Sequence, residues 1–310
     1  MSLVLALSGG VGGAKLALGL SHVVAPENLL IVANTGDDFE HLGLSISPDI
    51  DTLTYALAGL DNQTLGWGRR DETWSFMQTL ADLGGPAWFR LGDRDLALHV
   101  QRTLRLKAGD TLAAITADIT RRLGIAARIL PMSNDPVRTR VDSDEGMLDF
   151  QDYFVGRQCK PVVKSLHFAG AEAATPHPDF LAALQNPSLR AVVICPSNPF
   201  ISVEPILALP GIRAALASCA APVVAVSPII GGKAVKGPTA KMMTELGIIP
   251  SAAAVAHRYA DLLNGYIIDT QDAAEAQGLA LRTVLAQTLM TTLDDKIALA
   301  RTALDLADSL

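Results

Sequence analysis

The sequence predicts an α/β fold, doubly wound around a mostly parallel Rossmann-like sheet with a mixed α+β insertion, on three observations. The chain opens with a strand-length apolar run that passes straight into a glycine-rich turn and an apolar helix: Ser8-Gly-Gly-Val-Gly-Gly-Ala-Lys15, then Leu16, Leu18 and Leu20. Uncharged strand-length runs recur at Ala191-Val-Val-Ile-Cys195 and Pro222-Val-Val-Ala-Val226, as expected of parallel strands covered on both faces. Helical periodicity alternates with these runs, the sign of βαβ units. Hydrophobic residues make up 49% of the 310 positions and charged residues 18%, which places the chain among packed globular proteins.

Taken in order, strands are expected near 3–7 and 29–33, each ended by a polar, glycine-containing turn. Apolar spacing predicts helices at about 50–60, 72–83, 96–106 and 111–123. The stretch 127–168 reads differently. There Arg138-Thr-Arg-Val-Asp142 alternates polar with extended-prone residues, and Phe150, Tyr153 and Phe154 form an aromatic cluster, which suggests short strands. Alternating structure returns with strands at 191–195, 223–226 and 266–268 and a last helix at 293–306. With no internal repeat and no low-complexity linker, residues 1–310 are read as one Rossmann-like catalytic domain with an inserted subregion at about 127–170.

Composition excludes several classes of function. A net charge of −7 argues against nucleic-acid binding but leaves room for a small anionic ligand held by local lysines and amides. No segment reads as membrane-spanning or as a signal peptide. Cys159, Cys195 and Cys219 are widely spaced without a CxxC pair, which fits a reducing, cytoplasmic setting rather than disulfides or zinc. Cys195 ends a core strand and is expected to be a buried, inert thiol. Ser8 lacks the GxSxG context of a hydrolase nucleophile, and the six histidines are dispersed without HExxH, His41 being assigned to packing or surface.

The chemistry is expected at the carboxyl ends of the strands, where open α/β sheets bind ligands. Gly10, Gly12 and Gly13 free the backbone to approach a ligand, and the helix amides that follow suit phosphate, with Lys15 beside them. The motif matches neither GxGxxG nor GxxxxGK[ST]. The second strand ends in Asn34-Thr-Gly-Asp-Asp38, whose acids suit a ribose or a divalent cation equally well. In Pro48-Asp-Ile-Asp-Thr52, Asp49 is expected to cap the following helix and Asp51 to lie in its first turn. Four acids exceed what capping needs, so part of the set is assigned to a metal or a hydroxyl.

Gly66-Trp-Gly-Arg-Arg-Asp-Glu-Thr-Trp74 offers tryptophans and arginines for stacking on a ring system, with Trp74 expected in the core and Asp71 or a neighbour as a helix cap. In Trp88-Phe-Arg-Leu-Gly-Asp-Arg-Asp95, Asp93 is expected to cap a helix and Arg94 to pair with Asp93 or Asp95, unless an arginine here forks onto a phosphate. Ser197 and Asn198 end another core strand. Gly231, Gly232 and Lys233, with Lys236, form a second candidate phosphate cradle. Two anion-binding turns and an acid cluster point to a diphosphate substrate with Mg²⁺, hence phosphoryl or nucleotidyl transfer rather than hydride transfer.

Together these segments resemble the 2-phospho-L-lactate transferase family of coenzyme F420 biosynthesis. The resemblance rests on Ser8–Lys15, Asn34–Asp38, Pro48–Thr52, Gly66-Trp-Gly68 with Glu72-Thr-Trp74, Leu91–Asp95, Pro196–Pro199 and Ser227–Lys233, in order along most of the chain. It implies that the ribityl hydroxyl of 7,8-didemethyl-8-hydroxy-5-deazariboflavin attacks the phosphorus bearing the three-carbon acid of a guanosine diphosphate diester, releasing GMP. It further implies a deazaflavin contact at Asp51 and at Arg90 or Arg94, Mg²⁺ on Asp37 with Asp51, and a homodimer with small-molecule substrates alone. Two rivals stand beside it: an NAD-binding Rossmann oxidoreductase using Asp37 or Asp38 on the ribose, and a non-catalytic guanine-nucleotide sensor.

Overall fold

Seven strands form one fully parallel sheet in the computed structural model, which describes residues 2–310. In chain order they are β1 (Leu3–Ser8), β2 (Leu29–Ala33), β3 (Arg128–Pro131), β4 (Leu189–Ile194), β5 (Val223–Val226), β6 (Gly265–Asp269) and β7 (Arg282–Ala286). Their order across the sheet is β7-β6-β5-β4-β1-β2-β3. This is the 3-2-1-4-5-6 winding of dinucleotide-binding domains with one strand added at the far edge. The winding reverses between β1 and β4, which pair in parallel through Leu7 and Ile194 at their carboxyl ends.

Alternation along each strand builds two cores. Val4 and Ala6 of β1 and Leu29, Ile31 and Ala33 of β2 point to one face, while Leu5, Leu7, Leu30 and Val32 point to the other. The first face is covered by α1 (Gly10–Ser21), α2 (Pro48–Leu57), α5 (Leu112–Arg122) and the C-terminal helix Leu293–Asp308, through Leu16, Leu53, Leu112 and Leu299. The second carries short helices and an antiparallel sheet of Arg138–Ser143, Gly146–Asp149 and Val163–Ala169. Burial on both faces is why these strands read as unbroken apolar runs.

The mixed region therefore divides differently from the sequence expectation. Arg128–Pro131 is the edge strand β3, paired with β2 from Leu30 to Ala33, and the antiparallel sheet starts only at Arg138. Edge strand β7 was not anticipated, because Arg-Thr-Val-Leu-Ala is only partly buried and too short to show periodicity. Between α2 and α5 lie α3 (Ser75–Asp82) and α4 (Asp93–Lys107), as the spacing predicts.

Two tight hairpins finish the carboxyl rim. Phe39–His41 pairs with Leu44–Ile46 across Leu42 and Gly43, and Ile229–Ile230 pairs with Lys233–Ala234 across Gly231 and Gly232. All four turn residues have positive φ, the geometry of two-residue hairpin loops.

Candidate active site

A cleft of about 770 Å³ opens at the carboxyl ends of β1 and β4, at the point where the winding reverses. One wall is polar. α1 starts there with Gly9 as an extended N-cap, no side-chain cap and no acid in its first turn. Gly10 has φ +64° and turns the chain into the helix. The first-turn amides of Val11 and Gly12 have no carbonyl within their own helix to bond, and both residues line the cleft. Gly12 and Gly13 owe their size to packing. A Cβ at Gly12 would overlap the Pro196 carbonyl, and one at Gly13 would overlap the Ser8 and Ser197 hydroxyls. Gly13 is buried behind the cleft rather than lining it.

Lys15 stands one turn on, its Nζ donating to the Met290 carbonyl at 2.7 Å. Burial, then the neighbouring Lys236 and Lys296 ammoniums, lower its pKa. From β4, Ser197 Oγ accepts from Gly9 N at 3.1 Å, while Asn198 Oδ1 accepts from Phe200 N at 2.8 Å and caps the following turn. Both residues face the cleft as well.

The acids form a second group on this wall. Asp49 does not cap α2. Its Oδ1 accepts from Gly10 N at 2.7 Å and its Oδ2 from Asn34 Nδ2 at 2.9 Å, so it ties α2 to the glycine turn. Ser47 takes the N-cap position with its hydroxyl committed to Asp38 Oδ2, 2.8 Å away, and Pro48 at the first helical position has no N–H to satisfy. Asp37 lines the cleft, buried, and its Oδ1 has no partner. Burial, then the Asp49 charge, raise its pKa well above the usual carboxylate range. Burial likewise pushes Asp38 to about 7 and Asp49 to about 6. A buried carboxyl group with one unpartnered oxygen beside other acids is a setting that a divalent cation relieves.

Asp51 lies in the first turn of α2 as expected, but it is not free. Arg102 of α4 donates through Nη1 to Oδ2 at 3.1 Å and through Nη2 to Oδ1, with His99 Nδ1 3.7 Å from Oδ2. Among the described residues no three His, Cys, Asp or Glu side chains form a metal cage. The donor set therefore fits Mg²⁺ in the form it takes on nucleotides, held by one or two carboxylates, substrate phosphates and water, with Asp37 the available ligand.

Part of the lining is aromatic. Trp67, Trp88, Phe89, Phe150 and Phe154 contribute to it, together with Leu65 and Leu289. Trp88 and Phe89 pack edge-on against His41 at 5.1 and 5.7 Å, so His41 has the packing role expected of it. Trp74 is only half-buried, not in the core. It lies 6.2 Å from Trp67 and carries the Arg90 guanidinium 4.2 Å above its ring. Arg90 faces the cleft whereas Arg94 is exposed outside it and forms no pair with Asp93 or Asp95. Caps here are exchanged. Glu72 accepts from the Arg94 and Asp95 amides at the start of α4, and Asp93 accepts from the Ser75 and Phe76 amides at the start of α3.

The second glycine pair meets a carboxylate of the chain itself. Gly231 N and Gly232 N donate to the Asp272 carboxylate at 2.9 and 3.3 Å, so a built-in anion already holds the turn. Neither glycine nor Lys233 lines the cleft. Lys236 does, and its Nζ donates to the Gly66 carbonyl at 3.2 Å. Thus Gly10, Gly12, Lys15, Asp37, Asp51, Arg90, Ser197 and Asn198 converge, while Gly13, Arg94, Gly231, Gly232 and Lys233 stand apart. Arg102, His99 and Tyr55 went unnoticed in the sequence. The one available signal was Asp95, His99 and Arg102 at spacings of four and three, which share one helix face.

Cys159, Cys195 and Cys219 are free thiols, and burial pushes Cys195 up to about 12. No helix among the described residues is long and apolar enough to cross a membrane.

Residues 4–299 match the family profile described as 2-phospho-L-lactate transferase CofD. A Streptomyces griseus protein named phosphoenolpyruvate transferase is 41% identical over 316 residues, covering 98% of each chain. A Methanosarcina mazei protein named 2-phospho-L-lactate transferase is 36% identical over 296 residues, covering 94% of this chain and 96% of its own. A solved structure of a UPF0052 family protein from Bacillus halodurans superposes with a TM-score of 0.66 at 14% identity over 98% of both chains, a likeness of fold alone.

Proposed function

The chain belongs to the 2-phospho-L-lactate transferase family, and from that premise we propose the full reaction it performs. A phosphorylated three-carbon acid passes from a guanosine diphosphate diester to the ribityl hydroxyl of 7,8-didemethyl-8-hydroxy-5-deazariboflavin, in coenzyme F420 biosynthesis. The new bond joins the hydroxyl oxygen to the phosphorus bearing the acid. The bond from that phosphorus to the bridging oxygen breaks, GMP leaves, and the hydroxyl proton goes to a base.

One observation carries this reading. A helix N-terminus ready for phosphate and a cluster of aromatic side chains line the same cleft. The amides of Val11 and Gly12 and the Lys15 ammonium suit the diphosphate, and Trp67, Trp88 and Arg90 suit a planar tricycle. Phosphoryl transfer needs alignment and charge neutralisation more than a covalent residue. When bound, Mg²⁺ supplies part of that neutralisation, and Asp37 is the residue to hold it. Asp51, fixed between α2 and α4, accepts the hydrogen bond of the attacking hydroxyl and takes its proton.

The acid is proposed to be phosphoenolpyruvate, since the relatives at 38 to 41% identity carry the name phosphoenolpyruvate transferase. Purified protein with Mg²⁺, the deazaflavin and each guanylylated acid tests the reading by mass spectrometry. GMP and a phosphoenolpyruvyl deazaflavin, two hydrogens lighter than the phospholactyl product, are expected. GDP binding without GMP release would instead identify a sensor. Asp51→Asn should lower turnover at least about a hundredfold, as removal of a general base does. Near-normal turnover at saturating Mg²⁺ would reject that role.

A further inference from the structure

Asp51 is gripped from behind by a polar chain that stability alone does not explain. Arg102 is 1% exposed, and its guanidinium meets Asp51 with both Nη atoms and the Ser45 carbonyl at 3.3 Å. Replacing a buried ion pair with apolar residues is often neutral or stabilising, so its presence beside a reacting centre asks for another reason. His99 supplies the next link. Its Nδ1 lies 3.3 Å from Arg102 Nη1, and because arginine can only donate, Nδ1 accepts and the ring proton sits on Nε2. Nε2 lies 3.1 Å from Asp95 Oδ2, and Tyr55 of α2 donates to Asp95 Oδ1. Hydrogen bonds thus run from Asp51 of α2 through Arg102 to His99 of α4, and a close His99–Asp95 contact leads on to Tyr55 of α2.

His99 Nδ1 is taken by Arg102, and Nε2 sits close to Asp95 Oδ2 without meeting it in a hydrogen bond, although the residue lines the cleft. Arg102 covers one side of each Asp51 oxygen. Each carboxylate oxygen has two acceptor directions, and the second remains for the cleft. We infer that Arg102 and His99 are positioning residues that lock the Asp51 carboxylate in the orientation needed to receive the acceptor hydroxyl. The inference rests on the transferase reading above and adds to it what holds the receiving group in place.

The planar fork is the essential part, because a lysine supplies one point donor where arginine supplies two parallel ones. In steady-state assays of the full chain, Arg102→Lys should lower kcat at least about tenfold with KM for both substrates within about twofold, the mark of lost alignment rather than lost binding. His99→Leu should lower kcat similarly. His99→Gln, whose side-chain oxygen can still accept from Arg102, should recover most of the loss. Thermal melting of each variant identifies those that fold, and the two His99 variants carry the test if Arg102→Lys does not. Unchanged kcat in folded Arg102→Lys, or equal kcat for His99→Gln and His99→Leu, overturns the positioning role. A wild-type protein that releases no GMP overturns the transferase reading itself, so the two failures are distinct.

Discussion

Arg90 and Arg94 show how much four positions matter. Arg90 lies over the Trp74 ring facing the cleft, and Arg94 is exposed on the first turn of α4. Arg90→Ala should therefore raise KM for the deazaflavin severalfold, and Arg94→Ala should leave it unchanged, which steady-state titration of the acceptor reads directly. Asp38 carries a pH signature of its own. Its ordinary value of 3.8 is raised by burial to about 7, so folding favours the uncharged acid. Its contribution to stability is full below about 4, declines as pH rises and is lost above about 7. In chelator-containing buffer, Asp38→Asn should melt several degrees above wild type at pH 8 and alongside it at pH 4, by thermal scanning; equal melting at pH 8 would refute the buried-acid account. The residues that sequence could assign were those whose role follows from local chemistry, such as Asp51 in a first turn. Asp49 could not be assigned, because the Gly10 amide that claims it lies 39 positions away.

The two glycine turns look alike in sequence and differ in structure. Ser8–Lys15 runs from strand to helix and presents unpaired amides, whereas Gly231–Gly232 closes a two-residue hairpin whose amides Asp272 occupies. Substitutions should separate them. Gly12→Ala places a methyl against the Pro196 carbonyl. It should cost about 1–3 kcal/mol of stability and weaken nucleotide binding. Gly232→Ala should cost about 1–2 kcal/mol through its positive φ and leave nucleotide binding alone. Denaturant melts paired with GDP titration check both; weaker GDP binding by folded Gly232→Ala would restore the cradle. Long buried strands and periodic helices were legible because burial writes itself into consecutive residues. The edge strands β3 and β7 were not, since β3 has only four residues and β7 is only partly buried.

For the molecule as a whole, the sheet order determines where function can sit. Reversal of winding between β1 and β4 opens a crevice, and the loops after β1, β2 and β4 deliver amides, acids and hydroxyls into it. The segments around Trp67 and Trp88 add aromatic surface to its lining. Motif order along the chain revealed this convergence for most of the site. The Arg102–His99 support stayed hidden because it depends on how α4 docks against α2. The most direct measurement is a crystal structure with GDP and Mg²⁺ bound. The diphosphate is expected within hydrogen-bond reach of the Val11 and Gly12 amides, with the cation on Asp37. A diphosphate seated instead at the Gly231–Gly232 turn, with Asp272 displaced, would contradict the assignment of the site.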